Sequence, residues 1–230
     1  MLILWDIDGT MLVTQRSGMA AMKSAGEELF SQAFEVEGVD YAGRLDPLII
    51  EELLQINTIP VTPENMSGMK AGYLKHLGSL VNQPGRATSL PGVNRLLESI
   101  SLKAHITQGL LTGNWEQTGM LKLRAAGIDP AHFKVRVWGD DSPHQPPKRE
   151  HLPLVAMDRC RDLRGRITNP ASVTIIGDTP NDVHCATVHG CRSLAVATGR
   201  FSIDELNRAG ATHAVSDLSD FDAIHRWLIA

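Results

Sequence analysis

The chain has 230 residues, 43% hydrophobic and 21% charged, which suits a soluble protein with one large domain or a core carrying a smaller insert. Its 22 basic and 26 acidic residues leave a net charge of −4, the wrong balance for nonspecific binding to nucleic acid or an anionic membrane. Three cysteines make no disulfide framework, and no apolar run approaches a membrane span, so a reducing, cytoplasmic setting is expected.

Residues 2–5 are an apolar burst running straight into Asp6, which predicts a short buried strand ending in a polar loop. Later bursts repeat the pattern. Residues 107–111 end in Thr112-Gly113-Asn114, residues 135–138 in Gly139-Asp140-Asp141, residues 173–176 in Gly177-Asp178-Thr179-Pro180, and residues 193–196 in Ala197-Thr198-Gly199. Helical stretches are expected between and after them, at 92–99, 116–126, 152–163, 181–188 and 203–209. Short apolar runs broken at Gly, Asp and Thr, alternating with helices, predict an α/β protein: a Rossmann-like three-layer core around a parallel sheet. In such sheets ligands bind at the carboxyl ends of the strands, where these loops gather.

The stretch after the first strand departs from this rhythm. Residues 17–30, 47–56 and 64–80 read as amphipathic helices without a convincing strand, and Gln83-Pro84-Gly85-Arg86 breaks the pattern before the sheet resumes. Asp46 is expected to cap the second of these helices, with Pro47 in its first turn. The expected organisation is a core of residues 1–13 and 86–230 with an inserted α-helical cap domain at 14–85.

Three of the strand-end loops carry chemistry. Asp6 and Asp8 in Asp6-Ile7-Asp8-Gly9-Thr10 place two carboxylates one residue apart before a glycine turn. A calcium loop starting at Asp6 fails, because Met11 and Ser17 stand where glycine and glutamate are required. Asp178 and Asp182 straddle a helix start at Pro180; they suit a metal site, or else a cap and a first-turn charge. Thr112-Gly113-Asn114 offers a hydroxyl and exposed amides to a phosphate oxygen, or a plain capped turn. The sheet would bring all three into one cleft.

Together these segments resemble the motifs of the haloacid dehalogenase-like hydrolases, in particular the phosphoglycolate-phosphatase-like branch with a helical cap. DIDGT at 6–10 is similar to the nucleophile motif, Leu110-Leu111-Thr112-Gly113-Asn114 to the second motif, and Gly177-Asp178-Thr179-Pro180-Asn181-Asp182 to the fourth. Leu90-Pro91-Gly92-Val93 is similar to the segment that re-enters the core after the cap. The family's lysine is expected at Lys148, although Lys-Arg stands where relatives often have Lys-Pro; Lys122, on the helix after Thr112, is the alternative or else a solvated charge.

The resemblance implies a magnesium-dependent phosphatase acting on a small phosphorylated metabolite. Asp6 would be the nucleophile and Asp8 the acid and base, with Thr112, Gly113, Asn114 and Lys148 around the phosphoryl group. Asp6, Asp8, Asp178 and Asp182 would form the metal site. Asp8 argues against a dehalogenase and against the phosphonate-cleaving relatives, which carry alanine there. A phosphoglucomutase-like transfer on a sugar phosphate, and a non-catalytic phospholigand-binding protein, remain open at this point.

Gly43-Arg44-Leu45-Asp46 is similar to a cap segment near the substrate, which makes Arg44 a substrate-binding candidate; a solvated arginine beside a helix cap is the ordinary alternative. Zinc at His184, Cys185, His189 and Cys191 is disfavoured because adjacent helix residues point apart. The oligomeric state is not legible.

Overall fold

The computed structural model describes all residues, 1–230. Six parallel strands form one sheet in the order β5-β4-β1-β6-β7-β8. They are β1 (Leu2–Trp5), β4 (Thr107–Leu111), β5 (Val135–Val137), β6 (Val173–Gly177), β7 (Arg192–Val196) and β8 (His213–Val215). This is the expected Rossmann-like α/β fold. The edge strand β8 was not among the expected elements: its apolar run is short and every residue in it is only half-buried.

All four residues of β1 are fully buried, which a strand covered on both faces requires. Their alternation divides the core into two layers. Ile3 and Trp5 pack with Val93, Leu96, Leu97 and Ile100 of α4 (Val93–Ser101) and with Ile224 and Leu228 of α9 (Phe221–Ile229). Leu2 and Leu4 face Leu152, Ala156 and Cys160 of α6 (Leu152–Arg164) and Cys185 and Ala186 of α7 (Pro180–Thr187). In the chain α5 (Glu116–Ala125) precedes α6, and α8 (Ile203–Arg208) follows α7 and covers β7.

Between β2 (Leu12–Val13) and β3 (Thr88–Ser89) the chain builds helices and no strand: α1 (Ser17–Phe30), α2 (Asp46–Ile56) and α3 (Pro63–Val81). Met22, Phe34, Ile50, Leu53, Met69, Tyr73 and Leu77 form a separate apolar cluster there, which also receives Trp115 from the core side. The two connections into this helical segment pair as an antiparallel ribbon, Leu12 opposite Ser89 and Val13 opposite Thr88. No helix is long and apolar enough to cross a membrane.

From β1 the chain steps outward through β4 and β5, then returns to β6 beside β1 and steps the other way through β7 and β8. The crevice between the carboxyl ends of β1 and β6 is therefore the topological switch point, where ligands bind in open α/β sheets.

Candidate active site

Above that crevice lies a cavity of about 490 Å³, bordered by the strand-end loops on one side and by the helical segment on the other. The loop after β1 opens it. Asp6 continues the ladder, its amide donating to the Ile176 carbonyl at 2.9 Å. The chain then reverses at Gly9, whose φ of 74° lies in the left-handed region, and a Cβ at that position would collide with the Asp178 carboxylate. Thr10 Oγ1 donates to Asp178 Oδ1 at 3.1 Å, joining the first loop to the loop after β6.

Oxygens of Asp6, Asp178 and Asp182 lie within 4.8 Å of one another, and all three residues are buried. Asp182 is already committed. Its Oδ2 accepts from the Thr179 amide at 3.1 Å and the Thr179 hydroxyl at 2.6 Å, closing a capping box on α7. Its Oδ1 accepts from Arg149 at 2.6 Å, and the same guanidinium nitrogen lies 3.0 Å from Asp6 Oδ1. Three carboxylates against one guanidinium leave two negative charges when all are ionised. Burial, and then the neighbouring acids, raise the pKa of Asp178 well above the usual carboxylate range; burial raises Asp6 too, against the pull of Arg149. A buried, hard-oxygen donor set with a twofold charge deficit fits a small divalent cation such as magnesium.

The opposite charge is supplied from β4 and α5. Thr112 is fully buried, and its Oγ1 accepts from the Asn114 side chain at 2.8 Å. Asn114 Nδ2 also donates to Asp8 Oδ2 at 2.8 Å. Lys122, two turns into α5 and 4% exposed, donates to Asp8 Oδ2 at 2.7 Å and to Asn114 Oδ1 at 2.6 Å. Burial opposes the ammonium charge, but Asp8, with further help from Tyr73 and Asp46, outweighs it and raises the Lys122 pKa above the ordinary lysine value.

The helical segment reaches this same loop. The Asp46 amide donates to the Gly113 carbonyl at 2.7 Å, and Asp46 Oδ2 accepts from the Trp115 amide and the Thr118 hydroxyl, each at 3.2 Å. Gly113 is needed for this approach, because a Cβ there would run into the Arg44 carbonyl. Asp46 is thus the first residue of α2 rather than its cap, which is Leu45; its carboxylate turns to α5 instead of to its own helix. Burial pushes the Asp46 carboxyl up to about 6.

Asp6, Asp8, Thr112, Gly113, Asn114, Arg44 and Asp178 all line the cavity, and Asp182 stands behind Arg149. Lys148 does not reach it. Its side chain is 56% exposed and pairs with Glu150 at 3.2 Å, because Lys148 precedes the short helical turn Arg149–His151 while Arg149 begins it and points inward. Sequence reading missed Arg149, and read Lys122 as the lesser alternative although it is the lysine in the cleft. The inexact Lys-Arg match was the available signal for the first, and for the second a lysine one turn beyond Thr118 and Gly119 on the helix that follows Thr112. Arg44 lines the cavity, but its guanidinium bonds Glu52 at 2.5 Å and the Asp40 carbonyl at 3.0 Å. Trp115 packs beside Tyr73 of α3, with ring centroids 6.4 Å apart. His184 pairs with Glu150, His189 bonds the Glu150 carbonyl, and Cys185 sits in the core.

Residues 3–196 match the family model of the haloacid dehalogenase-like hydrolases. No curated protein matches the chain. Among solved structures, the chain is similar to a hydrolase from Pseudomonas syringae at 23% identity and a TM-score of 0.70, covering 96% of this chain and 95% of that one. CbbY from Rhodobacter sphaeroides in complex with phosphate is 19% identical over 95% of each chain, with a TM-score of 0.74. Beta-phosphoglucomutase from Clostridium difficile is 16% identical, covering 99% of this chain and 96% of that one, with a TM-score of 0.72. At these identities the structural likeness speaks for the fold.

Proposed function

The chain belongs to the haloacid dehalogenase-like hydrolases, and we propose that it is a magnesium-dependent phosphatase cleaving a small organic phosphomonoester through an aspartyl-phosphate on Asp6. The observation that carries this reading is the division of one cavity into two walls: a buried acid cluster short of positive charge, and a hydroxyl–amide–ammonium wall suited to phosphoryl oxygens.

In this reading Arg149 holds Asp6 Oδ1 and leaves Oδ2 to attack phosphorus. The phosphorus–ester oxygen bond breaks as the new bond to Asp6 forms. Asp8, whose Oδ2 is held by Lys122 and Asn114, delivers a proton to the leaving oxygen through Oδ1. It then takes a proton from the water that hydrolyses the acyl phosphate, restoring Asp6. Thr112, the Gly113 amide and Lys122 balance the phosphoryl charge. Asp6, Asp178 and the Asp8 carbonyl would hold magnesium, which when bound offsets the repulsion between a carboxylate and a phosphate dianion. Asp182 orients Arg149 and the α7 terminus behind them. The helical segment acts as the cap that excludes water and selects the leaving group.

The test is inorganic phosphate release from a panel of phosphomonoesters, with magnesium and with excess chelator, beside Asp6→Asn. Metal-dependent turnover that vanishes in the variant is expected. Silence on every ester overturns the hydrolase reading and turns attention to transfer on sugar phosphates.

A further inference from the structure

Five cationic side chains line the cavity: Arg16, Arg44, Lys122, Arg149 and Arg200. Four are occupied. Arg44 is held by Glu52, Lys122 by Asp8, Arg149 by Asp6 and Asp182, and Arg200 by Asp40 at 2.9 Å. Arg16 alone has neither an ion pair nor a side-chain hydrogen bond, and it borders the same space as Asp6, Asp8 and Thr112. Its backbone is unusual as well. Gln15 and Arg16 both lie in the left-handed region, with φ of 49° and 61°, where glycine or asparagine is the easy choice. Residues kept in such conformations cluster at ligand clamps, because the surrounding structure has to hold them there. Here a long cationic side chain is retained at the entry to α1, where the backbone favours a residue with none. Met19, Met22, Val36, Val39 and Ile49 also line this cavity and suit a carbon skeleton, with Glu37 among them as a negative charge.

We infer that Arg16 is a specificity-determining residue that binds a second anionic group of the substrate, a carboxylate or a second phosphate, while the transferred phosphoryl group sits at Asp6. This rests on the phosphatase reading for the position of that phosphoryl group. A guanidinium forms bidentate pairs with either anion, and Arg16, solvent-exposed where it borders the cavity, has no existing pair to break first. Glu37 borders the cavity without a side-chain partner and works against an anion, so the comparison has to be made within pairs of matched esters.

The measurement is calorimetric binding, in magnesium buffer, of 2-phosphoglycolate, propane-1,3-diol bisphosphate and ethyl phosphate to the Asp6→Asn chain, with and without Arg16→Gly. Glycine takes a φ near 61° freely, so the second change removes the charge without straining the turn. One or both doubly anionic esters should bind at least about tenfold tighter than ethyl phosphate, and Arg16→Gly should bring that ratio to within about twofold. Which ester shows the preference tells carboxylate from phosphate. Arg16→Lys should retain part of it, since a point charge replaces the fork. A ratio that survives Arg16→Gly, or that is absent before it, overturns the inference. Phosphate release by the unmodified chain is read separately: its absence overturns the phosphatase reading, while the binding ratio still decides the role of Arg16.

Discussion

At the scale of single residues, the site turns on two cations with different duties. Lys122 is bonded to Asp8 and Asn114 beside the loop after β4. Replacing it by alanine should lower kcat by about 10²–10³, the usual cost of losing one charge-stabilising donor. Lys148→Ala should stay within about twofold of the parent in the same phosphate-release assay, since its ammonium faces solvent and Glu150. Arg149 has a structural duty as well. It is 8% exposed and lies between two carboxylates that are 5% and 2% exposed. Arg149→Met should cost about 3–5 kcal/mol in urea unfolding without added metal, because the acids lose their only buried counter-charge. A cost below about 1 kcal/mol would show that the cluster is neutralised by protonation instead.

At the scale of elements, one carboxylate joins the helical segment to the start of α5. Asp46 leaves its own helix uncapped in order to bond the Trp115 amide and the Thr118 hydroxyl at the start of α5. Its carboxyl is raised from an ordinary 3.8 to about 6 by burial. The folded state therefore prefers the protonated form. This contribution is fully present below about pH 4 and is lost as pH rises through about 6, a span worth on the order of 3 kcal/mol. Asp46→Asn keeps the carbonyl acceptor and cannot ionise. Relative to the parent, its unfolding free energy should rise between about pH 4 and 7, by up to that amount; a pH-independent difference would locate the titration elsewhere. The α7 terminus makes a second case. Thr179 closes a capping box with Asp182, so Thr179→Ala should lower stability by about 1 kcal/mol, read as a shift of a few degrees in Tm.

At the scale of the whole molecule, the acids that follow β1 and β6, distant in sequence, share one charge deficit, and filling it should stabilise the fold. A ligand that binds only the folded state adds ~2.7 kcal/mol at a hundredfold excess over its Kd. Magnesium should therefore raise Tm by roughly 5–10 °C for a chain of this size. Asp178→Asn, which removes one charge and one donor oxygen from the cluster, should abolish most of that rise. An equal rise in both proteins would place the ion elsewhere.

The strands and the acids at their ends were legible in the sequence, because both are local signals. A buried parallel strand is a short apolar run, and the polar residue that stops it is by that fact at the carboxyl edge; Asp6, Thr112 and Asp178 needed no knowledge of packing to be placed there. β8 was missed because a half-buried edge strand of three residues carries too little apolar contrast. The cations were decided by tertiary structure. Whether Lys148 or its neighbour Arg149 enters the cleft depends on how one short turn meets α7, and a single residue reverses the direction of the side chain. Lys122 faces inward only because α5 packs beside the loop after β1, and Asp46 finds its partners 69 and 72 residues away. Sequence spacing determines which side chains share a face; only the packing of that face against the sheet determines which charges meet.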